Sequence, residues 1–414
     1  MEQYWNINST TRIRPEVSQL LCEVLNTQSK YFLNPSDIST SCRYYSKRAI
    51  DRARNSVKNL INAAVEDNLI FTSSGSESNN FALEVGREYV GKEGIIISST
   101  VEHDSINFKL DDLAKRGYNI VKLDVDSLGR IDYSQLKDLE FNGKVFITLM
   151  LVNNELGNIY DLKKIVEISR AKWKNCLVHT DAVQAIGKID VDVKTLGVDM
   201  LSLSGHKIGA PAGVGALYVK MGTQVTPLIF GHQECSLRGG TENTAYIMAL
   251  GKAAEITKSQ MTEYHANIIK THRDRIEQGI LNICKELGFE AGVNGDVNNR
   301  VNNTSSIYIN GIYNVDFVIN AEEFGLYFSV GAACNSSVCS HEHSDSDEPV
   351  KASPVLKAIH HPDYKSVIRI SIGDEFFFYT AEDVKKEKHM KAYIDLDVEY
   401  GLAGIKNLLK KQQK

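Results

Sequence analysis

Lys207 follows a short apolar run and precedes a cluster of small residues in LSLSGHKIGAPAGVGALYV, residues 201–219. A lysine held against apolar surroundings loses some of its preference for the charged form, and a neutral amine can form a Schiff base with an aldehyde. The alternative is a loop lysine that snorkels to solvent. In CLVHTDAVQ, residues 176–184, a second apolar run ends at Asp181. An acid at the end of a buried strand needs a partner. A pyridinium N–H would serve, because holding that nitrogen protonated makes the ring an electron sink; an N-cap on the next turn is the other use of such an acid. An aldehyde-binding amine and a pyridinium-binding acid together suggest pyridoxal phosphate.

Further candidates stand just past the ends of apolar runs. Ser74-Gly75-Ser76-Glu77 follows NLIFTS and opens a helical pattern. Small hydroxyl and glycine residues there let a phosphate approach the unpaired N–H groups and positive end of a helix, although Ser-x-x-Glu is also an ordinary capping box. His103 follows GIIISSTVE, where an imidazole could stack on a flat ring or sit in a solvated loop. Asn153 and Asn154 end VFITLMLVNNELG, where amides can bond a phenol oxygen or make a turn.

The elements that must hold these residues are legible as seven short apolar runs between residues 69 and 219: NLIFTSS, GIIISS, NIVKLDV, KVFITLMLV, NCLVHTD, VDMLSLS and GVGALYV. Amphipathic segments such as SESNNFALEVGREYV, SINFKLDDLAKRG and DLKKIVEISRAKW separate most of them. This alternation predicts an α/β fold whose seven-stranded, mainly parallel sheet is covered by helices on both faces and binds ligands at the carboxyl ends of its strands. A long helical pattern over 262–287 leads to a smaller α+β region in which SSIYIN, LYFSV and SVIRISI read as strands and 380–412 as helix. We expect a large cofactor-binding domain at 13–260 and a small domain made of 1–12 and 261–414. The acidic stretch within 339–354 has no periodicity and reads as a loop.

Composition narrows the function class. The 414 residues are 43% hydrophobic and 24% charged, with a net charge of −5 and the basic residues scattered. That gives no general attraction to nucleic acid or anionic lipid and favours small solutes. No apolar run approaches a membrane span, and MEQYWNINST lacks the basic start and apolar core of a signal peptide. A cytoplasmic protein is expected. Seven dispersed cysteines argue for reduced thiols, one of which could be reactive.

The chain resembles the class V, fold-type I pyridoxal-phosphate enzymes, and among them the cysteine desulfurases of the NifS and IscS kind. The resemblance runs from Asn8-Ser9-Thr10-Thr11 through Asn34-Pro35-Ser36, FTSSGSES, VEH, VNNELG, DAVQAIGK, SGHKIGAP, GHQE and RGGTEN to VIRISIG. It implies that Lys207 holds the cofactor covalently, Asp181 pairs with the ring nitrogen, Gln184 bonds the phenol oxygen and His103 stacks on the ring. Gly75, Ser76, Ser204 and His206 would hold the phosphate. Thr241 would reach the phosphate of the other subunit, which implies a homodimer. Asn154 and Arg369 would hold the substrate carboxylate. The strand pattern supports Arg369 independently: Ile368, Ile370 and Ile372 share one face, which puts the guanidinium opposite the aliphatic side, whether in a cleft or in solvent.

SVGAACNSSVC resembles the family's catalytic loop and picks out Cys334 as the sulfur acceptor, with Cys339 as the alternative. Small neighbours suit a thiolate that must reach substrate sulfur and then move away. The loop, about 331–354, is about twice the expected length. Cys339, His341, His343 and Asp345 within it could be read as a metal site, but they lack fixed geometry and no metal is expected. The implied reaction converts L-cysteine to L-alanine and leaves a persulfide on Cys334 for an acceptor protein in iron–sulfur cluster assembly, tRNA thiolation or DNA sulfur modification. Selenocysteine lyase, another aminotransferase-like activity and a non-catalytic scaffold are the alternatives. Ser39, Ala212, Cys235 and Asp374 depart from the family's usual residues and leave substrate affinity, dimer contacts and partner choice open.

Overall fold

The computed structural model describes residues 2–331, 353–373 and 387–413. Cys334, Cys339, the acidic loop and Asp374 lie outside the described residues. After a two-residue strand β1 (Gln3–Tyr4), the chain lays down β2 (Asn68–Thr72), β3 (Ile95–Ser99), β4 (Asn119–Leu123), β5 (Val145–Met150), β6 (Cys176–Asp181), β7 (Met200–Ser204) and β8 (Gly215–Val219). These seven form one sheet in the order β2-β8-β7-β6-β5-β3-β4. The five strands from β4 to β7 run parallel, and β8 is antiparallel to both of its neighbours. All seven runs read from the sequence are strands of this sheet.

Burial on both faces explains why those runs are almost continuously apolar. Ile95, Ile97, Ile147 and Val178 enter one core, while the alternate residues Ile96, Phe146 and Leu177 enter another on the opposite face. Helix α1 (Arg48–Leu60) packs on the first face and α2 (Gly75–Val90) on the second. Phe81 and Leu83 of α2 are fully buried, and each such side chain contributes about 1.5–3 kcal/mol. Helix α3 (Asp104–Lys115) follows β3 and α4 (Leu162–Lys172) follows β5. Polar residues cap the starts of α2, α3 and α4, with Ser74, His103 and Asp161 accepting backbone N–H groups at their first turns; of these only Ser74 reads as a cap from the sequence.

Beyond α5 (Thr244–Gln260) and α6 (Glu263–Leu287), strands β9 (Ala291–Asn294), β10 (Thr304–Ile309), β11 (Leu326–Tyr327) and β12 (Val367–Ser371) precede α7 (Glu387–Gln412). Strands β12, β10 and β9 form an antiparallel sheet, and β11 pairs in parallel with β1. Ile307, Ile309, Ile368, Ile370 and Ile372 pack with α6 and α7 in a third core that also holds Trp5. The Trp5 indole N–H donates to Asp397 at 2.9 Å, and His272 of α6 meets the same carboxylate at 2.8 Å. The first residues of the chain are thereby tied to its last helix. Helices α1 and α5 and strand β9 were not read from the sequence. Ser39, one of the departures from the family pattern, caps a short helical turn by accepting from the Cys42 N–H.

Candidate active site

Strand ends, helix starts and the N-terminal segment converge on a cavity of about 190 Å³. Gly75, Ser76, His103, Asn154, Asp181, Gln184, Ser204, His206, Lys207 and Arg369 all line it. Of the residues expected to bind cofactor or substrate, Thr241 is the exception; it is exposed and lines no part of this cavity in its own chain.

Lys207 ends a single 3-10 turn, Gly205–Lys207, directly after β7. Its ammonium donates to the carbonyls of Asn8 at 2.5 Å and Ser9 at 2.6 Å. It is held inward rather than snorkelling into bulk solvent. The small residues that follow have a steric reason. Gly209 sits at φ +85, and a Cβ there would lie 2.4 Å from the Arg14 side chain. A Cβ on Gly215 would lie 2.7 Å from the Ser74 backbone. The second contact lets β8 run close beneath the start of α2, which brings the amine and the helix N-terminus to one cavity.

Gly75 and Ser76 are the first helical residues of α2, so their N–H groups have no acceptor within the helix. Ser74 and Glu77 do cap the helix, in a variant of the capping box: Ser74 Oγ accepts from the Glu77 N–H, and Glu77 Oε2 accepts from the N–H of Ser73, one residue before the cap. Ser204 and His206 face this helix start across the cavity. His206 is neutral at physiological pH, because burial and the Lys207 cation push its imidazole down to about 4. A neutral ring donates from one nitrogen and accepts at the other.

Asp181 is buried at the end of β6. One carboxylate oxygen accepts from the Val183 N–H at 2.9 Å, and the other from Asn79 Nδ2 at 2.7 Å. It therefore caps the following turn while presenting the rest of its lone pairs to the cavity. His103 Nδ1 accepts the Ser105 N–H at 3.1 Å, which places the ring proton of the neutral form on Nε2. Below the floor, His179 is wholly buried between Thr148 and Ser202, and burial pushes its imidazole down to about 3.

Arg369 is 1% exposed, which rules out a solvent-facing strand arginine. Its Nη1 donates to the Asn154 carbonyl at 3.0 Å and its Nη2 to Asn6 Oδ1 at 2.9 Å. Both of these acceptors are neutral, and the guanidinium also acts electrostatically on Glu155.

Four residues at the site escaped the reading of the sequence. Asn79, one turn inside α2, positions Asp181. Asn8 is a hub: its carbonyl accepts from Gln184 Nε2 and Lys207, and its Nδ2 donates to Thr304 Oγ1. Glu102 is buried, accepts from Ser99 Oγ and the Met150 N–H, and is pushed up to about 8 by burial. Glu155, raised by burial, accepts from Ser353 Oγ at 2.6 Å. The signal for Asn79, Glu102 and Glu155 was a polar residue beside an otherwise apolar stretch; Asn8 had none apart from its place in the N-terminal motif.

The donors fit pyridoxal phosphate. A helix start whose glycine admits close approach is matched to an anionic group, a buried carboxylate to a ring N–H, and an inward amine to an aldehyde. A side chain at position 75 would fill that approach, since its Cβ would lie 2.7 Å from Val183 Cγ2 and 3.3 Å from Ser204 Cβ. Among the described residues, no group of three or more His, Cys, Asp or Glu side chains could hold a metal, and no helix is long and apolar enough to cross a membrane.

Comparison with known proteins agrees with this geometry. The family model for aminotransferase class-V matches residues 4–386. A cysteine desulfurase of Sinorhizobium fredii is 38% identical over 376 residues, covering 89% of this chain and 91% of the relative. Cysteine desulfurase 2 of Trichormus variabilis is 36% identical over 341 residues, covering 82% of each. Among solved structures, a NifS-like protein superposes with a TM-score of 0.83 at 26% identity, over 99% of this chain and 100% of its own.

Proposed function

The chain belongs to the class-V aminotransferase family and is a pyridoxal-phosphate-dependent cysteine desulfurase, and on that premise we propose how its residues divide the work. The observation that carries the assignment is the convergence of Lys207, Asp181, His103 and the start of α2 on one cavity, with Arg369 on its wall.

Lys207 holds the cofactor and then removes the α-proton of L-cysteine at Nζ. When bound, pyridoxal phosphate supplies the aldehyde that takes up the substrate amine and the ring that spreads the charge left by loss of that proton. Asp181 holds a proton on the ring nitrogen, and Asn79 fixes the carboxylate that does so. Gln184 would donate toward the phenol oxygen, His103 would lie against the ring, and Gly75, Ser76, Ser204 and His206 would take the phosphate. Asn154 and the Arg369 fork orient the substrate carboxylate. The Cys334 thiolate attacks the substrate sulfur: an S–S bond forms, the carbon–sulfur bond breaks, the carbon side is protonated to alanine, and the persulfide stays on the protein. That persulfide passes to an acceptor protein, with iron–sulfur cluster assembly, tRNA thiolation and DNA sulfur modification as the pathways that draw on such an enzyme.

The core around Trp5 draws only on residue 5 and residues from 268 onward, which supports a small domain formed by 1–12 with 261–414, while Val301, Val355, Leu356, Ile359 and Val367 of that domain pack into the core of the large domain at 13–260. The exposure of Thr241 supports its reaching the partner's phosphate site in a homodimer. Five free cysteines among the described residues support a cytoplasmic location.

Borohydride makes a lysine–cofactor bond permanent, so peptide mass spectrometry of the reduced protein is the direct test. The expected label is on Lys207, lost in Lys207→Ala. After incubation with L-cysteine, thiol trapping should find a persulfide on Cys334, absent in Cys334→Ser although the cofactor stays bound. A label elsewhere, or alanine release at the native rate by Cys334→Ser, overturns the assignment.

A further inference from the structure

Lys188 is a buried amine that the reaction does not use. It does not line the cofactor cavity; it lines a neighbouring one of about 440 Å³, and Lys207 borders both. From behind that wall its Nζ donates to Asn8 Oδ1 at 2.6 Å and to Gln184 Oε1. Both acceptors belong to residues that do line the cofactor cavity. We propose that Lys188 is a positioning residue that sets the polarity of the Gln184 and Asn8 amides, and through Gln184 determines which end of an amide faces the cofactor's phenol oxygen.

The two ends of a carboxamide are nearly equal in shape, so hydrogen-bond polarity decides which way it points. A lysine ammonium can only donate, and a neutral lysine amine that donates both N–H groups to two oxygens acts on them in the same way. By occupying Gln184 Oε1 it leaves Nε2 as the cavity-side atom, and that nitrogen donates to the Asn8 carbonyl at 2.9 Å. The carbonyl in turn also accepts from Lys207. Asn8 obeys the same rule. Its Oδ1 accepts from Lys188 and from Asn303 Nδ2 at 3.0 Å, so its Nδ2 faces Thr304 Oγ1 at 2.9 Å and the Asn154 carbonyl at 3.3 Å. Without a donor at position 188, Gln184 could turn its oxygen toward the phenol oxygen, replacing an attraction with a repulsion.

Burial, with Lys207 and Arg369 as neighbouring cations, pushes Lys188 well below the usual lysine range. The orienting role survives loss of the charge, since a neutral amine still has two N–H donors for two acceptors.

This inference rests on the cofactor reading above. Its test uses the full chain, stripped of cofactor and reloaded with pyridoxal phosphate, as native protein, Lys188→Met, Gln184→Ala and the double variant. Lys188→Met should weaken pyridoxal phosphate binding about five- to tenfold and shift the visible absorption band of the bound cofactor. In the Gln184→Ala background the same change should alter affinity by less than about twofold and leave the band in place. Equal losses in both backgrounds, or a native band and affinity in Lys188→Met, overturn the proposal. Lys188→Gln draws the donor back from both acceptors and carries the same cycle if Lys188→Met does not fold. Borohydride labelling away from Lys207 would remove the cofactor reading itself, whereas normal labelling with an unresponsive Lys188→Met removes this inference alone.

Discussion

Replacing Arg369 by Met keeps the length and apolar volume of the side chain and removes the guanidinium. In the native structure that group is already held by the Asn154 carbonyl and Asn6 Oδ1 and is 1% exposed, so almost no side-chain entropy remains to be lost when substrate arrives. A substrate carboxylate on the fork gains two hydrogen bonds to a charged donor, each about 1.5–3 kcal/mol, together about 3–6 kcal/mol. At about 1.4 kcal/mol per tenfold, kcat/KM for L-cysteine should fall about 10²- to 10⁴-fold. Arg369→Lys retains the charge without the fork and should lie between, at about 10- to 100-fold. The variant also leaves two acceptors without this donor, costing about 1–3 kcal/mol of stability each, so the assay belongs well below the melting temperature. Alanine formation is followed under reductant, with cofactor content read from the visible band. If Arg369→Met retains cofactor and keeps kcat/KM within about fivefold of native, Arg369 does not hold the substrate carboxylate, since a single lost charged hydrogen bond already exceeds that.

Asp397→Ala should lower unfolding free energy by about 2–5 kcal/mol in urea, because the Trp5 indole N–H and His272 lose a common buried acceptor; a loss below about 1 kcal/mol would show that the junction is not structural. Gly75→Val should weaken pyridoxal phosphate binding, measured by titrating the stripped protein, since even a Cβ there meets Val183 at 2.7 Å; unchanged affinity would place the phosphate elsewhere. Glu102 is raised from 4.5 to about 8, so its contribution to stability is present below 4.5 and is lost as pH rises through 8. Comparing native protein with Glu102→Gln should show a difference that grows by up to about 1.4 kcal/mol per pH unit within that window and is level outside it. His179 is lowered from 6.5 to about 3, so its contribution is present above 6.5 and is lost as pH falls toward 3. The corresponding difference curve for His179→Gln should slope in the opposite sense, and a flat curve would mean that the ring is solvated.

Strand ends were the legible part of this chain. Apolar runs that are buried on both faces must stop where the chain turns to water, so Asp181, Lys207, His103 and Asn154 could be placed at one edge of a parallel sheet without knowing the strand order. Arg369 was legible because isoleucines at every second position fix the side on which it lies. Asn8, Asn79 and Lys188 were not, because each acts through a partner that only the fold supplies: Asn8 bonds Lys207, Asn79 bonds Asp181, and Lys188 reaches Asn8. Neither periodicity nor capping chemistry carries information about such pairings. The Ser74–Glu77 box shows the reverse difficulty, since one set of residues both caps a helix and leaves its first N–H groups for an anion.

Asn8 is held by Asn303 and Thr304, and Trp5 by Asp397. Residues 5 and 8 therefore wait for residues 303, 304 and 397 before this wall is complete. At ribosomal speeds that delay is on the order of half a minute. A nascent chain that already contains Lys207, Asp181 and the phosphate-binding turn thus still lacks the residues that hold Asn8, and has no finished place to keep its substrate.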